Sequence, residues 1–473
     1  MDTEDFRAHA HRLVDWMADY LADIEARPVR AQVAPGEIAA RLPSAPPEAG
    51  ESIEAIMDDV SRIIMPGITH WQHPSFFAYF PANASPPSVL AEMLTATMAP
   101  ICMLWQTSPA ATELETQVTG WLRQLFGLPE DFVGVIQDTA STSTLCALLT
   151  AREAASAFAI NRRGFAAEDR LTVYCSSEAH SSVEKGVKIA GLGSASLRHI
   201  PVDAAFAMRA DALDSAIRED QAAGRQPLCV VATLGTTSTS GFDPLEPIGA
   251  ICRRHGIWLH VDAAWAGSAL VAPEYRWMIA GVEQADSFVV NPHKWMLTNF
   301  DCTAHFVRDP DALVRTFEIL PEYLKTKERD RVVDYRDWGI PLGRRFRALK
   351  LWFVIRYYGI EGLQAHIRDH VALAGELGER IAATDDFELM VPPRLALLCF
   401  RYRPADIEDA GALDEINQRL IETLNDSGAL YLTQTRIGGT FAIRFAIGAQ
   451  RTEARHVEEA WRRIEQTAHT LLR

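Results

Sequence analysis

No window of this chain approaches the roughly 20 consecutive apolar residues that a membrane-spanning helix requires. The opening residues, Met1 to Asp5, are acidic where a secretory signal would be basic, so a cytoplasmic protein with no membrane partner is expected. Cysteine is sparse: Cys102, Cys146, Cys175, Cys229, Cys252, Cys302 and Cys399 are odd in number, scattered, and form no C-x-x-C pair. That pattern argues against a disulfide framework and against a zinc site, so no metal is expected. Basic residues are in deficit, 46 against 62 acidic, for a net charge of -16. A nucleic-acid backbone would meet a repulsive field, and no nucleic acid is expected as a partner. There is no internal repeat, no low-complexity tract, and no G-x-G-x-x-G after the first strand of the α/β region, which removes a nicotinamide dehydrogenase from consideration.

What is present is a chain of 473 residues, 48% hydrophobic and 23% charged, enough for two or three domains with a sizeable core. Phe6, Leu13, Met17, Leu21 and Ile24 recur at helical spacing, with Thr3 as the expected N-cap and Glu4 and Asp5 in the first turn. This amphipathic helix is followed by a linker-like stretch, Arg41 to Gly50, rich in proline and small residues. Its apolar stripe must pack against something, a second subunit or its own chain. From about residue 130, short apolar runs at 133–137, 171–176, 228–235, 257–262 and 287–291 alternate with helical stretches. Near-continuous apolar strands separated by helices predict a mainly parallel sheet flanked by helices, with ligands beyond the strands' carboxyl ends. Pro321 to Asp337 centres on the charged run KTKERDR, a composition that favours a solvated, mobile loop. After about residue 350 the chain turns helical, then mixed, as a smaller C-terminal α+β domain would.

The chemistry concentrates at strand ends. Asp262 closes one apolar run and Lys294 follows the next, 287–291, by three residues, 32 residues on from Asp262 and about one βαβ unit away. A purely structural ion pair would account for these two positions equally well. The turn at 134–144 (GVIQDTASTST) adds a small, hydroxyl-rich helix start, the kind of backbone N–H cluster that binds a phosphate, although serine and threonine cap helices everywhere. Together the three features suggest a phosphorylated aldehyde cofactor. Decarboxylating an amino acid leaves an electron pair on Cα, and enzymes supply roughly 8 to 23 kcal/mol of barrier lowering. Pyridoxal 5'-phosphate (PLP) provides the electron sink, a lysine anchors it, and a buried carboxylate keeps its pyridine nitrogen protonated. Such a charge pair at about 3 Å and an effective dielectric near 20 is worth roughly 5 kcal/mol before desolvation.

At this point the chain resembles the group II PLP-dependent decarboxylases of fold type I, the aspartate aminotransferase-like fold, and within them the aromatic-L-amino-acid decarboxylase branch. The resemblance covers nearly the whole length. It rests on HPSFFAYFPA (73–82), SPAATELE (108–115), EAHSSVEK (178–185), ATLGTTS (232–238), HVDAAWAGS (260–268), NPHKW (291–295) and DYRDWGIPLGRRFRALKLWFV (334–354). It implies that Lys294 forms the Schiff base and that Asp262 partners the pyridinium. Ala140, Ser141 and Asn291 would bind the phosphate, Thr237 would lie near the ring, His293 would join the cofactor-binding set, and His180 would stack on the ring's open face. Tyr323 matches the loop tyrosine that protonates Cα, and relatives that replace it or the stacking histidine tend toward aldehydes. The implied assembly is a homodimer with active sites at the interface, residues 1–85 wrapping the partner, 86–350 forming the large PLP-binding domain and 351–473 the small domain. Ile101 and Met103 would reach the partner's site, and the 321–337 loop would act as a lid.

For the substrate pocket, the expected lining is Trp71, Tyr79, Phe80, Pro81, Ala82, Ile101, Met103 and Gly343. Its aromatic and apolar surface suits an indole or phenol better than glutamate, although core packing also accounts for each of these residues singly. Gly343 goes with aromatic substrates in the resembled family. Ala82, Met103, Asp138 and Trp265 depart from its usual threonine, aromatic, glycine and tyrosine. The expected activity is conversion of DOPA, tryptophan, 5-hydroxytryptophan, tyrosine or phenylalanine to the amine and CO2. The alternatives are an aromatic aldehyde synthase, a transaminase, a histidine decarboxylase or a non-enzymatic PLP-binding protein.

Overall fold

The computed structural model describes residues 1–319 and 331–472. It divides into two compact units, Ala82–Val371 and a second made of Met1–Pro81 with Ala372–Arg473. In the first, seven strands form one sheet: β1 (Val133–Gln137), β2 (Leu171–Ser176), β3 (Leu197–Ile200), β4 (Gln226–Thr233), β5 (Trp258–Asp262), β6 (Ser287–Val290) and β7 (Thr303–Val307). Their order is β1-β7-β6-β5-β4-β2-β3. The pairs from β3 to β6 are parallel, and β7 runs antiparallel to both β6 and β1. β1 therefore points the same way as the parallel strands, and its carboxyl end lies on their edge of the sheet.

Both faces of this sheet are covered, which is why its strands read as unbroken apolar runs: every residue of β2, β6 and β7 is buried. Leu148, Val173, Val183, Val187 and Val231 belong to one core cluster, in which helices Ala140–Ala155 and Ser182–Ile189 pack on the sheet. The fold is the helix-flanked, mainly parallel α/β architecture expected from the sequence. Strands β3 and β7 are additional to the five apolar runs read there.

The second unit carries an antiparallel sheet of four strands, β8 (Phe387–Arg394), β9 (Leu397–Tyr402), β10 (Thr433–Ile437) and β11 (Thr440–Ala446), in the order β10-β11-β9-β8. The buried Trp461 of helix Ala454–Leu471 meets Phe387 and Phe400 of that sheet at ring-centroid distances of 4.8 and 5.7 Å. The N-terminal helix spans Thr3–Ala22, but its cap is Asp2 rather than Thr3. The Asp2 carboxylate accepts both the Glu4 and Asp5 N–H groups at 2.9 Å, and Thr3 is already inside the first turn. No residue of this helix is buried, and Phe6 and Leu13 stand exposed. Of the expected linker Arg41 to Gly50, Arg41 instead ends the short helix Glu37–Arg41, and residues 42–50 contain neither helix nor strand.

Candidate active site

The carboxyl edge of the seven-stranded sheet gathers the polar residues. Asp262 is the last residue of β5, buried, with Oδ1 accepting the Ala264 N–H at 3.0 Å. Lys294 lies in the single helical turn Pro292–Trp295 immediately after β6. His180 follows β2, and its pKa is lowered first by desolvation. The Asp262 charge opposes that shift and the Lys294 charge adds to it. Three residues spread over 115 positions of sequence thus act in one electrostatic field. The Ser182 N–H donates to His180 Nδ1 at 3.2 Å, so neutral His180 carries its proton on Nε2 and presents that atom as a donor.

Beside them, β1 runs into helix Ala140–Ala155, whose N-cap Thr139 accepts the Thr142 N–H through its side chain. The N–H groups of Ala140 and Ser141 lie in the first turn, where helix geometry gives them no intrahelical acceptor. Asp138 Oδ1 accepts the Thr139 N–H at 2.6 Å, so a carboxylate already sits at the rim of this cradle. Thr303, the first residue of β7, places its hydroxyl 2.9 Å from the Asp138 carbonyl and 2.8 Å from the Asn291 amide oxygen. One hydroxyl thereby ties the cradle to the residue preceding the lysine turn. Asn83 braces that turn: its N–H donates to the His293 carbonyl at 2.9 Å and its side-chain amide donates to the Lys294 carbonyl. Neither Thr303 nor Asn83 was marked by any pattern in the sequence.

Thr237 stands on a tight loop between β4 and helix Leu245–His255. The loop is closed by Gly235 N–H to the Gly241 carbonyl at 2.9 Å and Gly241 N–H to Thr236 Oγ1 at 2.6 Å. Gly235 has φ 78°, and a Cβ there would lie 2.6 Å from Ala266 Cβ and 2.9 Å from the Trp265 ring. Trp265 Nε1 donates to the Gly235 carbonyl at 2.6 Å, so the indole serves as a strut for the loop. His293 is buried, its Nδ1 facing the Cys302 carbonyl at 2.8 Å, and burial lowers its pKa to about 3.

These residues fit PLP. A helix N-terminus with uncommitted N–H donors, a buried acid and an amine share one sheet edge, which is the donor set that a phosphate, a pyridine nitrogen and an aldehyde require. Among the described residues, no group of histidine, cysteine and acidic side chains could hold a metal ion.

The expected pocket residues fall in both units. In the second, Trp71 stacks on Phe76 and Tyr79 at centroid distances of 4.6 and 5.6 Å, with Trp71 and Tyr79 both exposed. Phe80 and Pro81 are buried, against the backbone at Gly448. In the first, Ile101 is 54% exposed, which sets it apart from a core residue, Ala82 and Met103 are half-buried, and Gly343 faces open space. Tyr323 and the centre of its loop lie outside the described residues.

The model of the pyridoxal-dependent decarboxylase conserved domain matches residues 35–403. Phenylacetaldehyde synthase of Arabidopsis thaliana is 44% identical over 482 residues, covering all of this chain and 97% of that one. Aromatic-L-amino-acid decarboxylase of Mus musculus is 44% identical over 487 residues, covering all of this chain and 99% of that one. The crystal structure of Oryza sativa TDC with PLP and tryptamine superposes with a TM-score of 0.97 at 38% identity, over 100% of this chain and 99% of that one. With the cofactor-binding chemistry gathered at one sheet edge and relatives that match from end to end, this chain belongs to the pyridoxal-dependent decarboxylase family.

Proposed function

We propose that the chain decarboxylates aromatic L-amino acids to the corresponding amines and CO2, with Lys294, Asp262, His180 and Tyr323 as its catalytic residues. The observation that carries the reading is the shared field of His180, Asp262 and Lys294 at the strand ends, beside the first turn of helix Ala140–Ala155. PLP supplies an electron sink for the pair released from Cα when CO2 departs. Lys294 holds its aldehyde carbon, and Asp262, buried at the end of β5, keeps the ring nitrogen protonated. Ala140, Ser141 and Asn291 take the phosphate, with Thr237 and His293 completing the cofactor's surroundings. His180 offers Nε2–H on the open side, where a substrate enters. Tyr323 is assigned the proton that returns to Cα.

The aromatic preference is supported by the exposed ring ladder of Trp71 and Tyr79, and by the mouse decarboxylase and the tryptamine-bound Oryza sativa structure among the similar proteins. A second reading, an aldehyde synthase, is favoured by the equally similar phenylacetaldehyde synthase. Incubating purified protein with DOPA, tryptophan, tyrosine, phenylalanine and histidine, and measuring CO2, amine, aldehyde and peroxide, separates the two. Amine with CO2 is expected. Aldehyde with peroxide as the main products would overturn the reading, and Tyr323→Phe should move products in that direction.

The working unit in this proposal is a homodimer in the cytoplasm, with residues 1–85 wrapping the partner, 86–350 as the PLP-binding domain and 351–473 as the small domain. The N-terminal helix supports it, since Phe6 and Leu13 of its apolar stripe are exposed, while Met17 and Leu21 are half-buried and Ile24, just beyond the helix, is buried on its own chain. No helix among the described residues is long and apolar enough to cross a membrane, and all seven cysteines are free thiols.

A further inference from the structure

Lys294 lies in a turn too short to hold itself. Pro292–Trp295 is four residues long, closed by Lys294 N–H to the Asn291 carbonyl at 2.9 Å and Met296 N–H to the Pro292 carbonyl at 3.1 Å, and Leu297 already has φ 55°. A single turn has almost no cooperativity of its own, so its orientation has to be fixed by contacts with other segments. Asn83 reaches two of its backbone carbonyls. The side chain next to Lys294 supplies a further hold.

Trp295 is fully buried, and its Nε1 donates to His370 Nδ1 at 3.0 Å. His370 is buried too, on helix Arg347–Ala382 beyond the kink at Gly359. The same indole packs against Trp265, with ring centroids 5.6 Å apart, and the Trp265 N–H is itself bonded to the Gly235 carbonyl. The tryptophans that follow Asp262 by three residues and Lys294 by one are thus packed together, each with its indole N–H on an acceptor from another segment. Rotating the Trp295 ring would break a buried hydrogen bond, and a buried donor left unpaired is costly. Trp295 and Lys294 are consecutive in the backbone, so pinning the indole also limits the direction in which the lysine side chain leaves the turn. All of these residues belong to the unit Ala82–Val371 of one chain.

The acceptor is in a defined state. To receive an N–H at Nδ1, His370 must be neutral with its proton on Nε2. The His366 ring lies 4.2 Å away, its Nε2 is buried with no hydrogen-bond partner among the described residues, and burial lowers its pKa to about 4. Near neutral pH it therefore puts no charge beside the acceptor. Packing alone does not call for this arrangement, since a phenylalanine against a leucine fills a core without two polar atoms to satisfy.

We propose that His370, acting through Trp295, is a positioning residue that holds the Lys294 amine where it can bond the aldehyde carbon of PLP. In that step Lys294 Nζ attacks the aldehyde carbon, a C=N bond forms, and the aldehyde oxygen leaves as water. The proposal rests on the reading of Lys294 as the lysine that holds PLP. It assigns His370 to the covalent part of cofactor binding and not to the part contributed by phosphate and ring.

The test titrates full-length apoprotein with PLP and with pyridoxine 5'-phosphate, which keeps the ring and phosphate but carries an alcohol in place of the aldehyde. Wild type is compared with His370→Leu, Trp295→Phe, the double variant and His370→Asn, and the readout is the ratio of the two affinities. Misplacing a reacting group by about an ångström can cost up to about a hundredfold, so His370→Leu and Trp295→Phe are expected to lower the ratio by about tenfold. His370→Asn keeps an acceptor near the position of Nδ1 and should stay within about twofold of wild type. The double variant should be no lower than the worse single one, because both changes remove the same bond. A ratio unchanged in both single variants overturns the proposal even if the thermal midpoint and both affinities fall, since a packing role would weaken the two ligands alike. Losses that multiply in the double variant also overturn it. If one single variant does not fold, the other decides. If neither folds while His370→Asn does, the pair is a folding element and the proposal fails. A wild type that binds both ligands equally, as Lys294→Ala should, would instead refute the reading of Lys294 itself.

Discussion

Replacing His305 with phenylalanine should change stability more favourably at pH 5 than at pH 7.5, by about 2 kcal/mol. His305 is in the middle of β7, fully buried, and neither ring nitrogen has a hydrogen-bond partner among the described residues. The group facing it across the sheet is His260, ring edge to ring face at 6.0 Å, itself buried and held well below its ordinary pKa. Burial lowers the His305 pKa to about 4, against about 6.5 in an unfolded chain. As pH falls through that window the unfolded chain binds a proton that the folded chain refuses, so stability is intact above about 6.5 and drains away toward 4. At pH 5 the loss is about 2 kcal/mol, and at pH 7.5 it is negligible. A phenylalanine has no such titration, and whatever it gains or loses by packing is the same at both pH values. The difference between the two ΔΔG values, from urea unfolding of PLP-loaded protein, should therefore be about 2 kcal/mol. A ΔΔG that is the same at pH 5 and pH 7.5 would refute the assignment of a neutral, unpartnered His305.

Lys294→Ala should abolish the visible cofactor band that borohydride removes in wild type, a change followed by absorbance alone. Thr303→Val keeps the side-chain shape but strips the hydroxyl between the Asp138 carbonyl and Asn291. It should weaken PLP binding by about 1 kcal/mol, roughly fivefold, in a titration of the apoprotein, and unchanged affinity would remove Thr303 from the cradle's support. Gly235→Ala places a methyl against Ala266 and Trp265 at a positive φ. A loss of about 2 kcal/mol or more in unfolding free energy is expected, with weaker cofactor retention as the Thr237 loop shifts.

The strands legible in the sequence are those buried on both faces, where nearly every side chain is apolar. β2 and β6 are of this kind, and β1, β4 and β5 are so beyond their first one or two residues. β3 lies at the sheet's other edge, with only Leu197 and Ile200 buried, and four residues of which two are polar leave no period to detect. β7 fails for a different reason. Its sequence, TAHFV, is fully buried yet contains Thr303 and His305, so it is read as a loop by any rule that equates burial with apolarity. The N-cap of the first helix shows a finer limit. Asp2 and Thr3 are both competent caps, and only the geometry, with one carboxylate reaching two N–H groups, decides between them.

The same physics divides the site. Asp262, Lys294 and the hydroxyl-rich turn at 134–144 are readable because each follows the end of an apolar strand, and a parallel sheet brings all such ends to one edge, whereas His180 is indicated only by the family resemblance. Their supports are not readable, because each acts through a contact with a remote part of the chain. Asn83 braces a carbonyl 211 residues away and Thr303 one 165 residues away, and Glu115 pairs with Arg344, 229 residues on, to bond the Ile136 N–H and carbonyl of β1. Glu115 and Arg344 even lie inside the segments that carry the family resemblance, yet no role is read for them there. Their importance follows from β1 being an edge. A central strand has its backbone paired on both sides and needs no side chain to fix its height. β1 must borrow a carboxylate and a guanidinium, and the segments that lend them are thereby held in register with the cradle. The topology thus ends an edge strand at the hydroxyl-rich turn, where side chains from remote segments, not a neighbouring strand, hold one side of its backbone.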